Sequence, residues 1–338
     1  MAVIDLSEDD RALISVLQLV PRISWQDAGA VLDRHPTTLA AQWERLRSSG
    51  VAWVTAHLIG DPAAMTMTFV EVDCELRHRA AVGAALCAIP EVVSVEESAR
   101  NRDFVLTVVT PSWAELTRIV LPEIARIPNI ASYRSAMCTA LHASADAWSL
   151  NALNAAQRAQ LRSLARQGAG TYTGPEPSSY WPIVQVLSRN GRSTAVEVAE
   201  ATGLHPVTAR RQLNRILSGG SLLFRCEVAQ DYSGYPVQCQ WFASLPPDDR
   251  RRAVDALRGF RELRLCASTT DTSNFTFTMW LGSPAEVLDI EDRFLSAVPG
   301  ARIIESSLTV NYLKRVGVLL RPNTTSTHEV VVPRPLPA

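Results

Sequence analysis

Apolar and polar positions change their period twice across residues 193–224. Val196, Val198, Ala199 and Leu204 are spaced for a short amphipathic helix, and Gly203 stops it. His205-Pro206 begins a second helix, with proline at the first position, where no N–H is needed. Ala209, Leu213, Ile216 and Leu217 form its buried stripe, Gly219-Gly220 ends it, and Leu222-Leu223-Phe224 reads as a strand. Helix, glycine turn, helix and strand make a winged helix-turn-helix pattern. Residues 23–54 carry a weaker version, with a His35-Pro36 start and a Leu39, Trp43, Leu46 stripe.

Each pattern gives way to a second one. Residues 65–141 read as strand, helix, strand, strand, helix, strand, and residues 238–313 repeat that order. This βαββαβ arrangement is the ferredoxin-like split pattern. Such a sheet carries helices on one face only, so the other face is expected to pair between the two copies or between chains.

The chain is therefore self-similar. Residues 13–50 fall on 183–220 without a gap, and 10 of these 38 positions are identical, among them Arg22/Arg192, His35/His205, Gln42/Gln212, Arg45/Arg215 and Gly50/Gly220. Further on the offset is 171, where Phe104 meets Phe275 and Pro128 meets Pro299. The expected fold class is α+β: two winged helix-turn-helix modules, each followed by a ferredoxin-like domain. The expected boundaries are 1–59 and 180–228 for the helix-turn-helix modules and 60–142 and 229–320 for the α/β domains. Residues 143–179 form a connector in which 153–168 resembles a leftover first helix of the second copy, followed by a flexible link. The Pro- and Thr-rich tail 321–338 is expected to be disordered.

Composition changes this picture little. The net charge of −1 argues against a uniformly basic nucleic-acid binder but leaves room for a local patch. No apolar run is long enough to span a bilayer, and the acidic start MAVIDLSEDDR lacks the basic region of a secretory signal, so a cytoplasmic protein with no membrane partner is expected. The six cysteines are scattered without a CxxC pair, as reduced thiols would be. Lys314 is the only lysine.

Local charge separates the copies. Residues 6–59 hold five Arg against six acids, whereas 180–228 hold six Arg against three. Phosphate neutralisation supplies most non-specific affinity, so the second module is expected to be the stronger DNA reader. Its outward side presents His205, Val207, Thr208, Arg210, Arg211, Asn214 and Arg215; the first offers Thr37, Thr38, Gln42 and Arg45. Arginine at the front of a recognition helix grips guanine edges or phosphates. His35 and His205 are expected to cap their helices; neither has metal-ligand spacing to another residue.

These segments resemble the leucine-responsive regulator/AsnC family in a tandem form. LSEDDRALISVL is similar to that family's first helix, and GLHPVTARRQLNRILSGG to its recognition segment, with His205 in place of Ser. Asp231-Tyr232-Ser233-Gly234-Tyr235 resembles the family's linker strand, and Arg102-Asp103-Phe104-Val105-Leu106 its motif before the third α/β strand. The resemblance implies a regulator of transcription that binds double-stranded DNA, oligomerises through its α/β domains and responds to an amino acid or related small effector. The family's Thr-Gly at the effector loop is replaced by Ala99-Arg100 in one copy and Thr270-Asp271 in the other, and Asn274 replaces the Asp. Thr269, Thr270, Asp271 and Asn274, with Arg100 and Asp103, are the candidate effector contacts.

The expected function is thus a sequence-specific regulator: not an enzyme, with no catalytic residue, no cofactor and no metal. Two alternatives stand beside it. Some proteins similar to this family decarboxylate sirohaem-type tetrapyrroles with His and Arg of the α/β domain, and His57, His78 and His142 lie in or near that domain of the first copy. The other alternative is a regulator acting through a protein partner of the acidic first module.

Overall fold

The computed structural model describes residues 6–58, 63–144, 148–168, 172, 174 and 177–335. The first helical unit comprises α1 (Glu8–Leu19), α2 (Trp25–Leu32) and α3 (Pro36–Ser48), followed by β1 (Ala52–Leu58). A capping box between Ser7 and Asp10 starts α1, and Ser24 caps α2. Asp33 ends α2 in the left-handed conformation (φ 53°), where the second copy has Gly203 (φ 69°). A short polar side chain tolerates that geometry better than most.

The first α/β unit follows: β2 (Thr66–Cys74), α4 (Arg79–Ala88), β3 (Val92–Ser98), β4 (Phe104–Thr110), a helix made of α5 (Trp113–Glu115), a π-helical turn (Leu116–Val120) and α6 (Leu121–Ala125), then β5 (Ile130–Ala143). After α7 (Ala155–Gly168) the second helical unit holds α8 (Trp181–Arg189), α9 (Ala195–Thr202), α10 (Pro206–Ser218) and β6 (Leu222–Val228). The second α/β unit is β7 (Val237–Ser244), α11 (Arg250–Arg258), β8 (Leu263–Thr269), β9 (Phe275–Leu281), α12 (Glu286–Ala297) and β10 (Arg302–Arg315). β11 (Val318–Leu320) and β12 (Ser326–Val330) close the chain.

The α/β units meet edge to edge. The order β10-β3-β4-β2-β5-β8-β9-β7 returns to β10, so eight antiparallel strands close a barrel. Closure removes the free edges that each small sheet would expose alone. The two joints are equivalent: Cys138 pairs with Thr269 across one, and Thr309 pairs with Ser98 across the other, the same pairing moved by 171 residues. Strand alternation sorts the side chains. Phe275, Phe277 and Met279 face α11 and α12 in one core, while Thr278 and Trp280 turn into the barrel. β5 and β10 are 14 residues each, longer than the pattern predicts, because their outer halves carry the pairing between units.

The strand after each second helix is not a wing folded on its own module. β1 and β6 pair with each other as a two-stranded ribbon, centred on Thr55 opposite Arg225. The helical units also clasp directly. Arg192 donates to the Pro21 and Ile23 carbonyls (2.6 and 2.8 Å) and stacks on Trp25, while Arg22 donates to the Gly191 and Ser193 carbonyls. The identical Arg22/Arg192 pair is therefore a reciprocal clasp. Gly191 allows it, because a Cβ there would sit 2.7 Å from Val54 Cγ1.

Three further expectations change. Helix α7 does not serve the second copy; Leu161 sits in the core of the first helical unit beside Trp148, Leu150 and Leu153. The second copy supplies its own first helix, α8, at the position equivalent to α1. Asp231–Tyr235 is not a strand but begins in a 3-10 turn, Gln230–Tyr232. The tail, expected to be disordered, forms β12 against β11. The Ser326 N–H donates to the Gly50 carbonyl, and Arg334 pairs with Glu91 and Glu123. Hydrogen bonding to groups from three parts of the fold offsets the ordering entropy that its composition alone would not overcome.

Candidate functional site

The predicted DNA-facing residues divide between the copies. On α10, His205, Val207, Arg210, Arg211, Asn214 and Arg215 are all exposed and Thr208 is half-buried, while Ala209, Leu213 and Ile216 are buried. None of Arg210, Arg211 and Arg215 has a side-chain hydrogen bond or ion pair among the described residues. His205 caps the helix as expected, its Nδ1 accepting from the Val207 N–H at 3.4 Å.

In the first module every arginine is engaged, within the module or with the second half of the chain. Arg11 donates to the Leu6 and Ser233 carbonyls, Arg22 to the second unit, Arg34 pairs with Asp9, Arg45 with Asp10 and Arg47 with Glu44. Gln42 also donates to Asp10 (2.7 Å). Burial acts to raise the Asp10 carboxyl, but hydrogen bonds from Gln42 and Ser7 and the charge of Arg45 hold it below its ordinary value. Gln42 and Arg45 thus stabilise α1 against α3 instead of pointing freely outward. Thr37 and Thr38 stay exposed, and His35 bonds Thr37 instead of capping its helix.

The predicted effector residues do not form one pocket. Thr269 and Asp271 line a cleft of about 160 Å³ with Glu71 and Arg134 of the first copy. Arg100 lines an open depression of about 520 Å³ beside Arg302 and Glu305. The others are taken up by the fold. Asn274 exchanges two hydrogen bonds of 2.9 Å with the Leu245 backbone, and Thr270 exchanges two with Met137, continuing the β5–β8 joint. Asp103 accepts from the Cys74 N–H (2.8 Å) and pairs with Arg79.

A further cavity lies inside the barrel. A cavity of about 210 Å³ is roofed by His57, Leu223 and Arg225 of the ribbon. Arg264, Arg315 and Glu96 enter it from the strands, among Met67, Phe69, Val105 and Trp280. Glu227, 2% exposed, bridges Arg225 and Arg264. Burial alone would raise its carboxyl, but Arg225, Arg264 and Arg315 hold it below the ordinary range. Glu96, bound by Gln238 and Thr309, goes the other way: burial outweighs its partners and raises it. Burial, reinforced by Lys314 and Arg225, pushes the His57 imidazole down to about 4, so it is neutral at neutral pH. Trp280 carries Arg264 on its ring at 4.0 Å and Arg315 at 4.9 Å. The three candidate histidines are dispersed: His57 faces this cavity, His142 bonds Ser268 (2.8 Å), and His78 sits beside Glu75 before α4. Sequence reading missed the cavity arginines, whose one visible signal was the lone charge of Arg264 within β8, LRLCAST.

Comparison with known proteins places part of this architecture. Residues 67–143 match the Lrp/AsnC ligand binding domain. An HTH-type transcriptional regulator of Pyrococcus horikoshii, PH0140, is 28% identical over 140 residues, 41% of this chain and 89% of that protein. A second one, PYRAB01370 of Pyrococcus abyssi, is 27% identical over the same shares. The fold extends beyond the Lrp/AsnC domain. A crystal structure of the siroheme decarboxylase NirDL, in complex with an iron-uroporphyrin III analogue, covers 91% of this chain and 93% of its own, with a TM-score of 0.58 and 13% identity. That likeness is one of fold. It nevertheless corrects the expectation that the chain is not an enzyme: the arrangement it shares nearly end to end is one on which an enzyme is built. No described helix is long and apolar enough to cross a membrane.

Proposed function

We propose that the chain is a duplicated Lrp/AsnC-type transcription regulator that reads double-stranded DNA chiefly through α10. The observation that carries this reading is the row of Arg210, Arg211 and Arg215, exposed and without partners among the described residues beside Asn214 and Val207, set against a first unit whose five arginines are all engaged. Free guanidinium groups on one helix face suit bidentate contacts to guanine or phosphate. The ribbon and the arginine clasp join both helical units, so one chain does what two subunits do in a dimer and presents two unequal reading heads. Association of whole chains and response to a small effector belong to the same proposal.

Arg210→Ala tests it. Against a duplex selected from a random pool, the substitution is expected to weaken binding by about 1–3 kcal/mol and to make the slope of log affinity against log salt shallower by about one. Arg45→Ala, whose guanidinium pairs with Asp10, is expected to leave the salt slope unchanged. Equal binding by wild type and an Arg210→Ala/Arg211→Ala variant would remove the assignment.

A second reading is favoured by the whole-length fold likeness to NirDL together with His57 and three arginines around one cavity. It assigns decarboxylation of a tetrapyrrole carboxylate, held by the arginines, with CO₂ leaving and a proton replacing it. The closed cavity is below the range of about 300–1,000 Å³ that drug-sized ligands occupy, so a ring of that size requires the ribbon to lift. Incubation with an iron uroporphyrin-type substrate, followed by mass spectrometry for loss of CO₂, decides this reading.

A further inference from the structure

We propose that the barrel cavity binds a small carboxylate with an apolar body, and that the β1–β6 ribbon over it passes occupancy on to the helical units. The second clause rests on the DNA-binding reading; the first does not.

The cavity is basic at one end. Arg225, Arg264 and Arg315 meet there with two carboxylates, Glu96 on the cavity wall and Glu227 bridging Arg225 and Arg264, which leaves one positive charge in excess. Arg315 is 5% exposed; one Nη donates to Gln230 at 3.3 Å, while the other Nη is buried without a partner among the described residues. Arg225 Nε is likewise buried without a partner among the described residues. Buried donors are ordinarily satisfied, so orphaned guanidinium N–H groups beside a cavity are donors suited to an anion that accepts from them. The other end is apolar, with Met67, Phe69, Val105, Val109 and Leu265 on the wall. A bare inorganic anion would leave that surface unfilled. The volume equals that of about seven waters, which suits a single-ring or branched-chain acid.

The roof gives the site an output. Arg225 pairs with Thr55 at the centre of the ribbon, and His57 and Leu223 are cross-strand partners two positions away. Any ligand that draws Arg225 inward moves the element on which both helical units are hung. Such coupling requires only that the two ribbon positions bind the ligand unequally.

The probe is benzoate, with benzamide as its neutral counterpart and inorganic phosphate as an anion without an apolar body, each followed by calorimetry and thermal unfolding of the full chain. Benzoate is expected to bind and raise the unfolding midpoint, with benzamide and phosphate at least about tenfold weaker. Arg315→Gln is expected to weaken benzoate by about tenfold or more. Thr107→Phe, which fills the apolar wall and leaves the arginines in place, is expected to abolish binding while the protein stays folded. Benzamide or phosphate binding as well as benzoate, retained binding in Thr107→Phe, or no binding of benzoate at millimolar concentration overturns the site. With DNA present, benzoate is expected to change the affinity of the wild type and not that of Thr107→Phe. Unchanged affinity with benzoate bound overturns the coupling. Absence of DNA binding under every condition overturns the regulator reading and the coupling with it, and calorimetry still decides the cavity.

Discussion

Glu227→Gln is expected to lower the unfolding free energy by about 3–5 kcal/mol, the range for a buried ion pair that loses one partner. The substitution keeps the shape but deletes the charge that Arg225 and Arg264 share and sets a donating NH2 against one of them. Both guanidinium groups are enclosed; the Arg264 side chain is 8% exposed. Burial depresses the Arg264 guanidinium to about 10 even with Glu227 beside it. Urea unfolding followed by tryptophan fluorescence measures the loss, and a change under about 1 kcal/mol would mean that water in the cavity already solvates these cations. The same carboxylate gives a pH dependence with a definite sign. Its folded value lies below its unfolded one, so its contribution is present at neutral pH and is lost as pH falls through the folded value. Wild type should therefore lose stability in acid more steeply than Glu227→Gln.

Trp280→Ala is expected to cost about 3–5 kcal/mol, the range for truncating a large buried aromatic. The ring is 1% exposed and lies edge-on to Trp148 at 4.8 Å. Its Nε1 donates to Gln238 Oε1 at 2.9 Å, and its face supports Arg264 and Arg315. Trp280 stands on a barrel strand but packs in the core of the first helical unit. Its removal should therefore loosen the joint between barrel and helices as well as open a void. Hydrogen exchange separates the two effects, with faster exchange expected in α1 and α7 than in α12. Uniform acceleration would assign Trp280 to global stability alone.

Much of this architecture was legible in the chain because it is written locally. FTFTMWL alternates so regularly that β9 follows from period alone, and Gly203 with Pro206 places the turn between α9 and α10. The arginines of α10 could be assigned to an outer face by helical spacing from Leu213 and Ile216. Features that depend on distant partners were not legible. The identity of Arg22 and Arg192 was visible, but its cause is a clasp across about 170 positions of chain. Arg45 looked as free as Arg215 until Asp10 lay beside it. The cavity draws Glu96, Arg225, Arg264 and Arg315 from strands that meet only after the barrel closes, and no local spacing announces that. The tail has the composition of a loose end, and only its pairing with β11 and Gly50 orders it.

The single lysine has a practical consequence. Lys314 is fully buried, and its ammonium donates to the Cys87 and Ile89 carbonyls at 2.8 Å each. In the folded chain the lysine amine is therefore out of reach of an acylating reagent. Unfolding uncovers that one lysine amine. A lysine-directed reagent thus becomes a counter that registers each opening of the barrel as one added mass, without any engineered probe.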